Sequence, residues 1–194
     1  MELLAFIKIK NIKSLFIKRF LLLVVFFVLS PITIIYANSS ESKYFEIILP
    51  EGVDLDEFYA VIFRDNFTLE EIIAPLPLPA NLEQHVLMAL DSLYLEVANI
   101  LDIQPQGFKT RIEVYLDKSK ITETAQLFSV DNYSDVAIYV FMQDTIFISI
   151  EDLTSASLGH EIARAIISHY FVVPPPEKVL NILTGYVDMK LGKE

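Results

Sequence analysis

The 194-residue chain has no cysteine and no tryptophan, and only three histidines and five glycines. Without cysteine there is no disulfide framework, no thiolate nucleophile, no thiolate-ligated zinc and no lipid-modified N-terminal cysteine. Stability has to come from packing. Basic charge is scarce too: Lys and Arg number 15 against 26 Asp and Glu, and five of those cations, Lys8, Lys10, Lys13, Lys18 and Arg19, stand before Phe20. Glu2 is the one acid in the first 37 residues, so the remaining 157 carry a net charge of −15. Phosphate recognition needs a basic patch, which removes nucleic acid from the expected partners.

The longest unbroken apolar run stands near the beginning. Phe20 to Leu29 is entirely apolar, directly behind the basic residues, and Ser30-Pro31 ends the run. That order is the pattern of an export signal. Ile35-Tyr36-Ala37 offers a small residue at a cleavage position, so 1–37 is read as a signal peptide cut after Ala37. The alternative is a retained N-terminal anchor, because the stretch through Tyr36 approaches the ~20 residues that span a bilayer. Either way the chain is expected outside the cytoplasm, in the periplasm or beyond, with membrane contact only through an uncleaved 1–37.

The rest is sized for one domain. Tyr44 to Leu49 reads as a strand, and Asp54 to Phe63 as a helix or a second extended piece. Thr68 and Glu71 have capping-box spacing for a short helical turn, and Pro75, Pro77 and Pro79 impose extended chain after it. The proline-rich stretch divides an N-terminal subregion, 38–80, from 81–194. Asn81 is placed to cap a long helix in which Val86, Leu90, Leu93, Val97, Ile100 and Leu101 recur at helical spacing. Arg111 to Asp117 alternates like a half-buried strand, and a short helix is expected from about Ser119 to Phe128. Asp135 to Met142 and Thr145 to Ile150 read as a hairpin, although Gln143-Asp144 is a poor tight-turn dipeptide. Thr154 or Ser155 is placed to cap an apolar helix to about Phe171, and Pro174-Pro175-Pro176 opens a last helix to about Leu191. This order specifies an α+β fold.

One stretch carries chemistry. Leu158-Gly159-His160-Glu161-Ile162-Ala163-Arg164 is one residue from a His-Glu-x-x-His zinc motif in an apolar helix. Residues 160 and 164 lie about 40° apart around a helix and share a face. Glu161 is placed to take a proton from a metal-bound water. At the second ligand position, however, stands Arg164, a permanent cation without a lone pair for a metal. His169, nine residues after His160, points to the opposite side of the helix, and His85 reads as a solvated surface residue.

Residues from about Leu82 to Leu191 resemble the short gluzincin-type zinc peptidase domains of exported bacterial proteins, called minigluzincin or peptidase MA-like. The resemblance rests on the strand-rich Thr145 to Ile150 leading into the His160-Glu161 helix, and on Gly185-Tyr186-Val187-Asp188 in the next helix. It implies a small mixed sheet packed on a zincin-like helix pair behind a long helix. It further implies zinc as cofactor, His160 as first ligand, Glu161 as catalytic base, Arg164 in the place of the second ligand and Asp188 as third ligand. The family pattern has His and Glu where this chain has Arg164 and Asp188. The zinc implied by the family is therefore expected to be lost, with Arg164 taking the metal's place in an ion pair with Asp188, joined by Glu161. A plain surface pairing of Arg164 with Glu161 is the alternative.

The expected function is thus a degenerate peptidase-like module that binds a peptide or envelope protein, with Asp135 to Phe141 as an edge strand for an extended ligand. Two other readings stand beside it: an active zinc peptidase with a reduced ligand set, and an unrelated secreted α+β structural protein. Gly185 is expected to pack closely on the preceding helix, Gly159 to admit the sheet backbone, and Tyr139 and Phe141 to be core or sheet-face residues.

Overall fold

A computed structural model describes residues 38–50, 53, 55–63, 81–130 and 133–192. The leader 1–37, the Thr68–Glu71 turn and Pro75, Pro77 and Pro79 lie outside the described residues. Along the chain come β1 (Asn38–Glu41), β2 (Phe45–Leu49), α1 (Leu55–Phe63), α2 (Leu82–Leu101), β3 (Thr110–Tyr115), α3 (Ser119–Phe128), β4 (Ala137–Val140), β5 (Thr145–Ser149), α4 (Ser155–Tyr170) and α5 (Glu177–Leu191). From α2 onward this is the order read from the sequence, and the fold is α+β.

The five strands form one mixed sheet in the order β1-β2-β3-β5-β4. β2, β3 and β5 run parallel, and β1 and β4 are the antiparallel edges. β2 pairs directly with β3, Phe45 opposite Thr110 and Ile47 opposite Ile112. The sheet therefore crosses the boundary drawn at the proline-rich stretch. The physical reason is burial: Phe45 and Ile47 need an apolar partner, and they find it in the main core with Leu90, Leu93 and Tyr94 of α2.

Two helices begin where their capping residues stand. Asn81 accepts a hydrogen bond from the Gln84 amide at 2.9 Å, and Thr154 and Ser157 exchange a reciprocal capping box at the start of α4. Such caps satisfy amides that have no partner inside the helix. The segment open between helix and extended chain is the helix α1, which seats a fully buried Phe58 in the core. The hairpin forms, but not through a two-residue turn. Phe141–Gln143 makes a 3-10 turn and Asp144 adopts a left-handed φ of 46°, which closes the connection. Phe141, expected to be internal, stands on that turn and is exposed.

The main core lies between one sheet face and α2, α4 and the inner side of α5. On the other face, α3 covers Ile138, Val140 and Phe147 with Ile121 and Ala125. As a result β4 and β5 are buried along their whole length. Gly159 belongs to this packing: a Cβ there would overlap Leu191 Cδ1 of α5. The space it opens is taken by the last helix rather than by the sheet backbone. Gly185 does not pack closely, since a Cβ there would meet nothing within 4 Å.

Candidate functional site

The stripe 157, 160, 161, 164 repeats at helical spacing along α4, and all four residues line one cleft of about 460 Å³. Asn181 and Asp188 of α5 form its second wall, and Tyr133 and Ser134, ahead of β4, close one end. His160, Glu161, Arg164 and Asp188, the four positions singled out in the sequence, therefore meet at one surface opening.

Their pairing differs from the expectation. Asp188 does not bond Arg164: it accepts from His160 Nδ1, with its two carboxylate oxygens at 3.0 and 2.9 Å. Arg164 reaches toward the start of α5, donating from Nη2 to Glu177 Oε1 at 3.1 Å and from Nη1 to Asn181 Oδ1 at 3.3 Å. The cause is helix geometry. α4 and α5 form an antiparallel pair, so a step forward along one is a step backward along the other. Once His160 faces Asp188, Arg164 lies toward the N-terminus of α5, and its long side chain reaches Asn181 and Glu177, seven and eleven residues before Asp188, or about two and three turns. Arg164 Nε also lies 3.9 Å from Glu161 Oε2, the pairing on its own helix.

Glu161 is the buried member, 4% exposed. Its Oε2 accepts the Tyr139 backbone N–H at 2.7 Å. Burial pushes its carboxyl from the ordinary 4.5 up to about 7, against the opposing pull of His160, Arg164 and the Tyr139 amide. This contact also corrects the proposed docking strand. β4 is an edge strand, but Ala137–Val140 is buried and the outward N–H of Tyr139 is held by Glu161. The groups that an extended ligand would pair with are not open there.

His169 points away from the cleft, as its spacing demands, and its Nε2 donates to Asp144 Oδ1 at 2.8 Å. The same oxygen accepts from Thr110 Oγ1 at 3.0 Å and from the Tyr139 hydroxyl at 3.1 Å. Burial raises the Asp144 carboxyl, but His169 and these hydroxyls more than offset it and hold it below its ordinary value. Tyr139 thus ties two clusters together, its amide on Glu161 and its hydroxyl on Asp144. Removing only the hydroxyl, in Tyr139→Phe, is expected to cost about 1 kcal/mol in thermal unfolding. His85, expected in solvent, is half-buried with Nδ1 3.5 Å from the Tyr59 hydroxyl of α1.

The donor set does not fit zinc. A protein zinc site needs three or four lone-pair donors converging on one point. His160 has Nε2 to offer. Asp188 is bound to Nδ1 on the other side of the same ring, where it orients an imidazole but does not share its metal. Arg164 offers none. Among the described residues no group of three or more His, Cys, Asp or Glu is gathered to hold a metal ion.

Sequence reasoning missed Glu177, Asn181 and the Tyr139 amide. For the first two a signal existed: 177, 181 and 188 fall on one side of α5, at intervals of four and seven. A scan against protein-family models found no match, and searches of the curated proteins and of the solved structures found none either.

Proposed function

We propose that this chain is an exported, gluzincin-like module that has lost peptidase chemistry and keeps its cleft for a peptide or protein ligand of the cell envelope. One observation carries the reading: Arg164, in the place of the second zinc-ligand histidine, is engaged with Glu177 and Asn181 across the cleft. A fixed cation there repels a divalent ion over a few ångströms, and its bonds to α5 keep it in place. The apolar helix behind a buried strand, His160 and Glu161 side by side in a cleft, and the carboxylate of Asp188 on the next helix support kinship with the peptidases. The leader 1–37, basic and then apolar, supports export.

With β4 covered, the ligand's route is the cleft itself, whose walls mix Tyr133, Ser134, Ser157 and Asn181 with the charged residues. With Ala156 and the carbon faces of these side chains, the lining offers a peptide segment both apolar surface and hydrogen-bonding groups. The test is to incubate the chain with excess zinc, dialyse it, and measure retained metal alongside hydrolysis of a quenched fluorescent peptide library. The expected result is substoichiometric zinc and an intact library, with slowed hydrogen exchange at 156–164 when peptides are added. Stoichiometric zinc with chelator-sensitive hydrolysis would establish the active reading instead.

A further inference from the structure

α5 is apolar on the side that faces away from the core as well as on the side that faces it. Val179, Ile182, Tyr186 and Met189 are 43 to 63% exposed. Their spacings are three, four and three, the interval of alternating a and d positions in a helix-pairing seam. At 100° per residue the four lie within an arc of about 80°, and the centre of that arc is about 150° from the centre of Leu180, Thr184, Val187 and Leu191, the buried side. The seam is therefore separate from the packing on α4, and separate from the cleft side that carries Glu177, Asn181 and Asp188.

Charge says what the seam fits. Lys178 and Lys190 lie about 60° to either side of its centre. Among the described residues neither forms an ion pair, in a chain with 26 acids and 15 cations. Lys190 instead lies 5.4 Å from the Tyr186 ring centre. The other rim positions, Leu183 and Gly185, carry no charge, and the open space at Gly185 permits close approach of a second backbone. A second copy of this helix would set lysine against lysine, leucine or glycine, never against an acid.

We infer that the outer face of α5 is a docking seam for an amphipathic helix of another protein, with apolar a and d residues and acidic residues on both rims. The test uses the full chain in lipid nanodiscs, with empty nanodiscs as the blank. Two synthetic helical peptides carry leucine at a and d positions, one with glutamate and one with lysine on the rims. The glutamate-rimmed peptide is expected to bind about tenfold more tightly at low salt, with the gap closing at high salt, because the rim pairs change from repulsion to attraction. Ile182→Glu, on an exposed position, abolishes binding, and the Lys178→Glu/Lys190→Glu variant inverts the preference. No binding, equal binding of the two peptides, an Ile182→Glu chain that binds like the parent, or a self-pair of chains that Ile182→Glu dissolves would each overturn the inference.

Discussion

Replacing Arg164 by histidine is expected to raise zinc retention above that of the parent chain, because a second imidazole joins His160 and the fixed cation is gone. Positions 160 and 164 already line the same cleft, so a second imidazole enters on the face where His160 Nε2 is. Asp188 stays on His160 Nδ1, the orienting contact usual behind a metal-bound histidine, and water completes the sphere. Affinity should therefore fall below that of a three-ligand site, and Asp188→Ala in the same background should weaken it further. Loss of the Arg164 bonds to Glu177 and Asn181 destabilises the metal-free variant by about 1 to 3 kcal/mol, and zinc recovers that loss because it binds only the folded chain. Bound metal measured by atomic emission, beside the cobalt(II) absorption of a tetrahedral site, checks both statements. If the parent chain retains as much zinc, Arg164 does not close the site. If neither chain does, the motif has no metal chemistry in this fold.

The elements that were legible in the sequence are those whose signals are local. α2 shows its cap at Asn81 and its apolar period in Val86, Leu90, Leu93 and Val97, and β3 shows its alternation in Ile112 and Val114. β1 shows neither: Asn38-Ser39-Ser40-Glu41 is polar throughout, and it is a strand because β2 offers it a ladder. The side of α4 that carries the site was equally local, since 160, 161 and 164 must fall together on any helix. Which residue each one meets was not, because that depends on how two antiparallel helices slide against each other. Leu191 seated in the gap left by Gly159 is one of the contacts that fix this register. It brings Asp188 to His160 and leaves Arg164 to Glu177 and Asn181. Burial of an edge strand is likewise invisible in its own sequence. Ala137–Val140 is buried, and its outer edge is engaged because Glu161, distant in sequence on α4, takes the outward amide of Tyr139.

Glu161→Gln is expected to stabilise the fold above pH 7, although it removes the residue that the peptidase motif would use as its base. The carboxyl is ordinarily half-protonated near 4.5, and burial in the folded chain moves that point up to about 7. The folded state thus holds the proton more tightly than the unfolded one, so the contribution is fully present below about pH 4.5 and is lost as pH rises through about 7. The full difference corresponds to about 3 kcal/mol, because each pH unit between the two midpoints is worth about 1.4 kcal/mol. Glutamine keeps an oxygen for the Tyr139 amide and never ionises, so the variant escapes the loss. Thermal unfolding of both proteins from pH 4 to pH 9 should give curves that coincide at the acid end and separate steadily between pH 5 and pH 7, the variant lying higher by up to about 3 kcal/mol. A constant gap at every pH would mean that ionisation of Glu161 is not its source. A variant less stable than the parent at pH 8 would mean that attraction to Arg164 outweighs the cost of burying the carboxylate, and the cleft would then be held together by the very ion pair whose burial now counts as a penalty.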